Sequence, residues 1–280
     1  MRFGDYRVEV ISDCEFRLDG GAMFGVVPRN LWSQVSPPDD QNRILMNMNC
    51  LFIEAGEERI LIDTGIGDKW AEKHRGMYAI DRRRSLDESL RAIAGIGADE
   101  VTIVINTHLH FDHAGGNTVR ENGAIVPTFP RAKYFVQGGE YEDAARANER
   151  TRASYRRENF TPVAHVDQWE FMDGETELVP GVSVVVTEGH TRHHQSIKIE
   201  SEGQIAFYLG DLIPTVSHLP LPYIMGYDLY PLQTLETKRW VLDRALSENW
   251  LLVFEHDPRV LMGRVRKDIE GKFYLEEVKG

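Results

Sequence analysis

The sequence predicts an α/β protein: two β-sheets packed together with helices on the outside, in one domain. Segments of strand character come first, then a strand–helix–strand order, and the same succession returns in the second half. No linker, low-complexity stretch or repeat interrupts the 280 residues. A chain of this size buries roughly 70–75% of its unfolded surface and needs no staples.

The elements follow in order. Residues 6–11 and 14–18 read as short strands. Residues 19–42, rich in Gly and Pro, read as a long N-terminal loop. Residues 50–54 and 59–63 read as a hairpin closed by Ala-Gly-Glu-Glu, after which Asp63-Thr64-Gly65 breaks the pattern. Residues 85–94 read as a helix capped by Ser85, with Asp87 and Glu88 in its first turn and Leu86, Leu90 and Ile93 on one face. The apolar, β-branched run at 101–106 reads as a buried strand, and 133–136 as another. Residues 139–160 carry Arg and aromatic residues and read as a helical flap. Strands are expected at 182–187, 204–209 and 250–254, with a helix over 234–246 whose core candidates are Leu235, Val241, Leu242 and Leu246. The tail reads as a hairpin turning at Glu270-Gly271.

Composition narrows the function. The formal net charge is −12, which repels phosphate backbones and anionic bilayers, so neither nucleic acid nor a membrane is an expected partner. Two cysteines, Cys14 and Cys50, exclude a disulfide framework. The first residues lack the apolar run of a signal peptide, and no window approaches the roughly 18 continuous apolar residues of a membrane span. The expectation is a cytoplasmic chain. The ten histidines matter more, because they are unevenly placed.

The densest cluster is Thr107-His108-Leu109-His110-Phe111-Asp112-His113, directly after the strand at 101–106 and before Ala114-Gly115-Gly116. Imidazole and carboxylate suit Zn²⁺ and similar ions. His108 and His110 stand two apart, so an extended segment projects both the same way. Asp112 and His113 fall where strand gives way to helix, and a turn there can aim them at a second ion. The small residues that follow let backbone approach closely.

This HLHFDH run resembles the His-x-His-x-Asp-His signature of the metallo-β-lactamase superfamily in its hydrolase version. Later segments match in order: Gly189-His190-Thr191 after a strand, Gly210-Asp211 after another, His256 after a third, and the early Asp63-Thr64-Gly65 turn. The resemblance covers about residues 44–258. It implies a four-layer αββα sandwich of two mixed sheets flanked by helices, with residues 1–280 as one hydrolase domain.

The resemblance also implies a dinuclear site. His108, His110 and His190 would hold one ion, Asp112, His113 and His256 the other, and Asp211 would bridge them. Two divalent ions are the implied cofactor; Zn²⁺ suits the donors best, and Fe, Mn or Co would also bind. A metal-bridging hydroxide would attack a carbonyl carbon, with Asp112 as proton shuttle. Asp63 would orient a ligand from behind, or simply form a turn.

For the substrate, residues 19–32 and the stretch after Asp211 resemble the subgroup that includes quorum-quenching N-acyl-homoserine lactonases. The expected activity is opening of a lactone or a related carboxylic ester. Met23, Phe24, Trp32, His218 and Tyr223 are the candidate substrate contacts, and a homodimer is in keeping with the resemblance. Two departures stand out. Pro214 occupies a position that holds Tyr in one lactonase branch, so a tyrosine acting on the carbonyl must come from elsewhere, with Tyr223 the candidate. The turn at His190 continues Arg192-His193-His194 rather than Pro-Gly-His, and Glu188 replaces the usual Pro before Gly189. The alternatives are a thioesterase of the glyoxalase II type, a phosphotriesterase, and a non-catalytic metal-binding protein.

Overall fold

In the computed structural model, which describes residues 1–279, the chain divides into two compact units. The first comprises Met1–Cys14 and Met48–Thr176, the second Glu15–Asn47 and everything from Glu177 on. The elements up to the middle of the chain are β1 (Arg2–Phe3), β2 (Tyr6–Asp19), α1 (Gly20–Phe24), α2 (Arg29–Val35), β3 (Arg43–Ala55), β4 (Glu58–Ile62), α3 (Glu72–Tyr78), α4 (Leu86–Ile93) and β5 (Ile103–Ile105). There follow β6 (Thr118–Glu121), β7 (Ala124–Pro127), β8 (Lys133–Gln137), α5 (Gly138–Ala145), α6 (Thr161–His165), β9 (Trp169–Met172) and β10 (Thr176–Val179). The chain then runs through β11 (Val182–Val186), β12 (Gln195–Ser201), β13 (Gln204–Tyr208), α7 (Pro231–Ser247), β14 (Leu251–Val253), β15 (Met262–Lys267) and β16 (Phe273–Glu277).

One seven-stranded sheet has the order β1-β2-β3-β4-β5-β8-β9. The pair β3/β4 is antiparallel, whereas β4, β5, β8 and β9 run parallel. A parallel strand covered on both faces needs apolar side chains throughout, and Ile103, Val104 and Ile105 are all buried. Helix α4 starts in a capping box: Ser85 Oγ accepts the Glu88 N–H at 3.1 Å and Glu88 Oε2 accepts the Ser85 N–H at 2.7 Å. Leu86 and Leu90 enter the core of this unit with Val104, Leu109, Tyr134 and Trp169. Ile93 does not share their face: it is 39% exposed, and Ala94 and Ile96 take the buried places.

The other seven-stranded sheet has the order β10-β11-β12-β13-β14-β15-β16. Its pairs are antiparallel from β11 to β13, parallel between β13 and β14, and antiparallel to the end. The parallel pair is joined through α7, which starts on Pro231 and buries Val241, Leu242 and Ala245 against Phe207, Leu252 and Trp250. Glu202 and Gly203, both at positive φ, close the β12–β13 hairpin as a two-residue turn. Both sheets are thus mixed, and each unit contributes helices, in keeping with the α/β class expected.

Three expectations need correction. The supposed strands 6–11 and 14–18 are one continuous strand, β2. The 19–42 loop holds two helices: Asp19 caps α1 by accepting the Ala22 N–H at 2.8 Å, and Met23, Phe24 and Trp32 are buried. The 139–160 flap is helical only through α5 and a 3₁₀ turn at Arg157–Asn159. Asn148 Oδ1 takes the Arg150 N–H at 2.9 Å and the Thr151 N–H at 3.2 Å, a side-chain turn that competes with helix there. Cys14 and Cys50 are both buried and not joined in a disulfide. Among the described residues no helix is long and apolar enough to cross a membrane.

Candidate metal centre

In the first unit the cluster begins just past β5. His108 and His113 are fully buried, with His110 and Asp112 nearly so. The His108 ring centre lies 4.4 Å from that of His110 and 3.9 Å from that of His113. His108 and His110 each present a ring nitrogen within 4.8 Å of the other's, and Asp112 and His113 also present donor atoms within 4.8 Å of one another.

Asp63 fixes this loop from behind. It sits at φ +52°, a left-handed backbone that Asp tolerates better than most residues. Its Oδ1 accepts the Thr107 N–H at 2.8 Å, and its Oδ2 accepts the Thr107 hydroxyl at 2.7 Å and His113 Nδ1–H at 3.1 Å. A carboxylate can only accept here, so Nδ1 of His113 carries the proton and Nε2 keeps its lone pair for a ligand. The turn at Asp63-Thr64-Gly65 also explains the small residues after the motif. A Cβ on Gly115 would lie 2.2 Å from the Ile66 carbonyl oxygen, and one on Gly116 equally close to that of Thr64. Thr64 N–H donates to the His113 carbonyl at 2.8 Å across this close approach.

In the second unit three more residues converge. Nε2 of His190 lies 3.0 Å from one carboxylate oxygen of Asp211, and Nε2 of His256 lies 3.0 Å from the other. Each imidazole is oriented from its far side. His190 Nδ1 lies 2.8 Å from Asp228 Oδ1, and His256 Nδ1 donates to the Asn47 carbonyl at 3.0 Å. His194, outside the expected ligand set, accepts the Asp211 N–H on Nε2 at 3.1 Å and has Nδ1 2.9 Å from Thr187 Oγ1, so it fixes the backbone that carries Asp211.

The donor chemistry tests whether a metal fits. With its Nδ1 side committed to Asn47 or Asp228, each imidazole aims Nε2 at an anionic oxygen. At 3.0 Å such a nitrogen and a carboxylate oxygen repel unless a proton or a metal ion stands between them. Burial alone would pull the His190 pKa down, yet the carboxylates of Asp211 and Asp228 push it up to about 10. The pair is built to attract positive charge, and buried imidazole and carboxylate donors are those of a divalent metal. His108, His110, Asp112 and His113 offer the same chemistry in the first unit.

The expected substrate contacts are placed differently. Met23, Phe24, Trp32 and His218 are at most 1% exposed. Phe24 stacks between Trp32, 5.4 Å away, and His218, 4.4 Å away, with Tyr223 edge-on at 6.0 Å. His218 Nε2–H donates to the Met23 carbonyl at 2.9 Å, Nδ1 lies 2.8 Å from Thr215 Oγ1, and burial pushes its pKa down to about 3. The rings of Phe24, Trp32 and His218 form a buried stack, and Met23 is buried beside it in sequence. Tyr223 alone is half-buried, and its carbonyl accepts from the buried Lys238 Nζ at 3.0 Å. Arg192 is exposed, 5.5 Å above the Tyr230 ring.

Sequence reasoning missed Asp228, Asn47 and the orienting part of His194. It also missed an aromatic group beside Asp112. The Phe111 ring centre lies 5.2 Å from that of Trp70 and 5.4 Å from that of Tyr78. Burial, followed by the charge of Asp112, raises the Tyr78 phenol pKa.

Comparison with known proteins places the chain in a family. The model of the metallo-beta-lactamase superfamily matches residues 45–256. The chain belongs to that superfamily. It is 32% identical over 163 residues to an N-acyl homoserine lactonase of a Bacillus species, a match covering 55% of this chain and 58% of that relative's length. A solved structure described as a probable metal-dependent hydrolase from Staphylococcus aureus shares 28% identity and a TM-score of 0.89, with both chains covered in full. AidC, a dizinc quorum-quenching lactonase solved with a product, shares the fold at 20% identity and a TM-score of 0.83, covering 100% of this chain and 97% of that one.

Proposed function

We propose that the protein is a dinuclear-metal hydrolase that opens a lactone of the N-acyl-homoserine type or a related carboxylic ester. One observation carries the reading: the two oxygens of Asp211 each face a histidine Nε2 at 3.0 Å, the arrangement of a carboxylate shared between two ions. In this reading His108, His110 and His190 hold one ion, Asp112, His113 and His256 the other, and Asp211 both. In the same reading residues 1–280 act as one hydrolase domain. Zn²⁺ suits the nitrogen and oxygen donors. Bound there, two such ions would lower the pKa of water and polarise a carbonyl oxygen.

The chain's own groups supply the rest. Asp112 is nearly buried and takes the proton released as water attacks. Tyr223, half-buried, donates to the substrate carbonyl or to the departing alkoxide. Asp228, Asn47 and Asp63 hold the ligand imidazoles in one tautomer, so little reorganisation accompanies turnover. The aromatic group of Trp70, Tyr78 and Phe111 offers an apolar wall beside Asp112 for the acyl part.

The metal-loaded protein should be assayed side by side on an N-acyl-homoserine lactone, a glutathione thioester, a phosphotriester and a cephalosporin. The lactone should give the highest kcat/KM. Thioester turnover without lactone turnover would reject the substrate assignment while leaving the metal site standing.

A further inference from the structure

Glu140 sits on α5 with its side chain fully buried, outside the ligand set. Its Oε1 accepts two hydrogen bonds, from the Leu109 N–H at 3.1 Å and from the Tyr155 hydroxyl at 2.9 Å. Leu109 is the residue between His108 and His110. Tyr155 forms an isolated β-bridge with His110, and its ring centre lies 4.8 Å from the imidazole. Next along, the Phe111 N–H donates to the Ser154 carbonyl at 2.8 Å. One carboxylate oxygen thus ties the backbone between two motif histidines to the tyrosine that walls one of them.

A buried carboxylate is costly, and an apolar side chain of similar volume would fill the space at less cost. We infer that Glu140 is a positioning residue for metal binding: it fixes the pitch of the His108-Leu109-His110 segment so that both imidazoles project toward one ion. Alternate residues of an extended segment face the same side only while the intervening peptide keeps its orientation. The Leu109 N–H held by Glu140 sets that orientation, and Tyr155, held by the same oxygen, limits the His110 ring. The inference rests on the metal reading proposed above.

The test is Zn²⁺ affinity of the metal-stripped full chain, read by competition with a chromophoric chelator, with the visible spectrum of the Co²⁺-loaded protein as second readout. Glu140→Leu should weaken Zn²⁺ binding by about 10–100-fold and shift the Co²⁺ bands. Glu140→Gln keeps an Oε1 acceptor and should stay within about threefold of wild type. Tyr155→Phe removes one donor, leaves the Leu109 bond, and should cost about 3–10-fold with the metal-free melting temperature unchanged. Should the Leu variant fail to fold, the Gln and Phe variants carry the test. Wild-type affinity in Glu140→Leu or Tyr155→Phe, or a Gln variant as weak as the Leu variant, overturns the inference. A wild-type chain that binds no Zn²⁺ defeats the metal reading instead.

Discussion

Asp228 Oδ1 lies 2.8 Å from Nδ1 of His190, with both side chains buried. The carboxylate holds the Nδ1–H tautomer and leaves Nε2 to face Asp211. Asp228→Ala should therefore lower Zn²⁺ affinity by about 10–100-fold, measured by chelator competition. Unchanged affinity would mean that Asp228 serves packing alone.

Asp63 has three donors on its carboxylate, two from Thr107 and one from His113. Removing the acceptor strands all three in a buried site, at about 1–3 kcal/mol each. Asp63→Ala should destabilise the metal-free protein by about 3 kcal/mol or more in urea unfolding. A change below about 1 kcal/mol would show that the donors find other partners.

Gly115 is set by contact rather than by backbone freedom. Its missing side chain would lie 2.2 Å from the Ile66 carbonyl oxygen, and the atoms it would meet, in Ile66 and Gly65, are all backbone. Gly115→Ala should cost about 1–3 kcal/mol or more and weaken metal binding, because the turn after His113 must move. Gly76→Ala is the control: nothing lies within 4 Å of that position, and melting temperature should hold or rise.

The donors were legible where the chain concentrates them. His108 to His113 fall in six consecutive residues after an apolar strand, and the later ligands follow strands of the same kind. Of what orients them, only Asp63 was. Asp228 is 38 residues from His190, and Asn47 is 209 from His256, acting through a carbonyl that every residue possesses. Glu140 looks in sequence like any acidic residue early in a helix. The elements repeat the lesson. Ser85 marked a helix start because its chemistry is local, whereas α1 forms in a Gly- and Pro-rich stretch where Phe24 stacks on His218, far along the chain. β12 escaped notice because its sequence, QSIKIES, carries more polar than apolar residues.

His218 supplies a pH dependence. Its pKa is about 3 folded, against an ordinary value of 6.5. Between these values the unfolded chain binds a proton that the folded chain refuses. Stability is then lost as pH falls from about 6.5 toward 3, with a slope of up to about 1.4 kcal/mol per pH unit from this residue. His218→Asn should lower stability at neutral pH but flatten that slope in metal-free urea titrations. An equal slope in both proteins would assign the acid sensitivity to other groups.

The central claim is that Asp211 is shared by two ions on which hydrolysis depends. The most direct measurement is metal content per chain, by mass spectrometry of the acid-digested protein, alongside lactone turnover for wild type and Asp211→Ala. The expected result is about two ions and turnover for wild type, with metal and activity lost together in the variant. A variant that keeps both ions and full turnover would contradict the account.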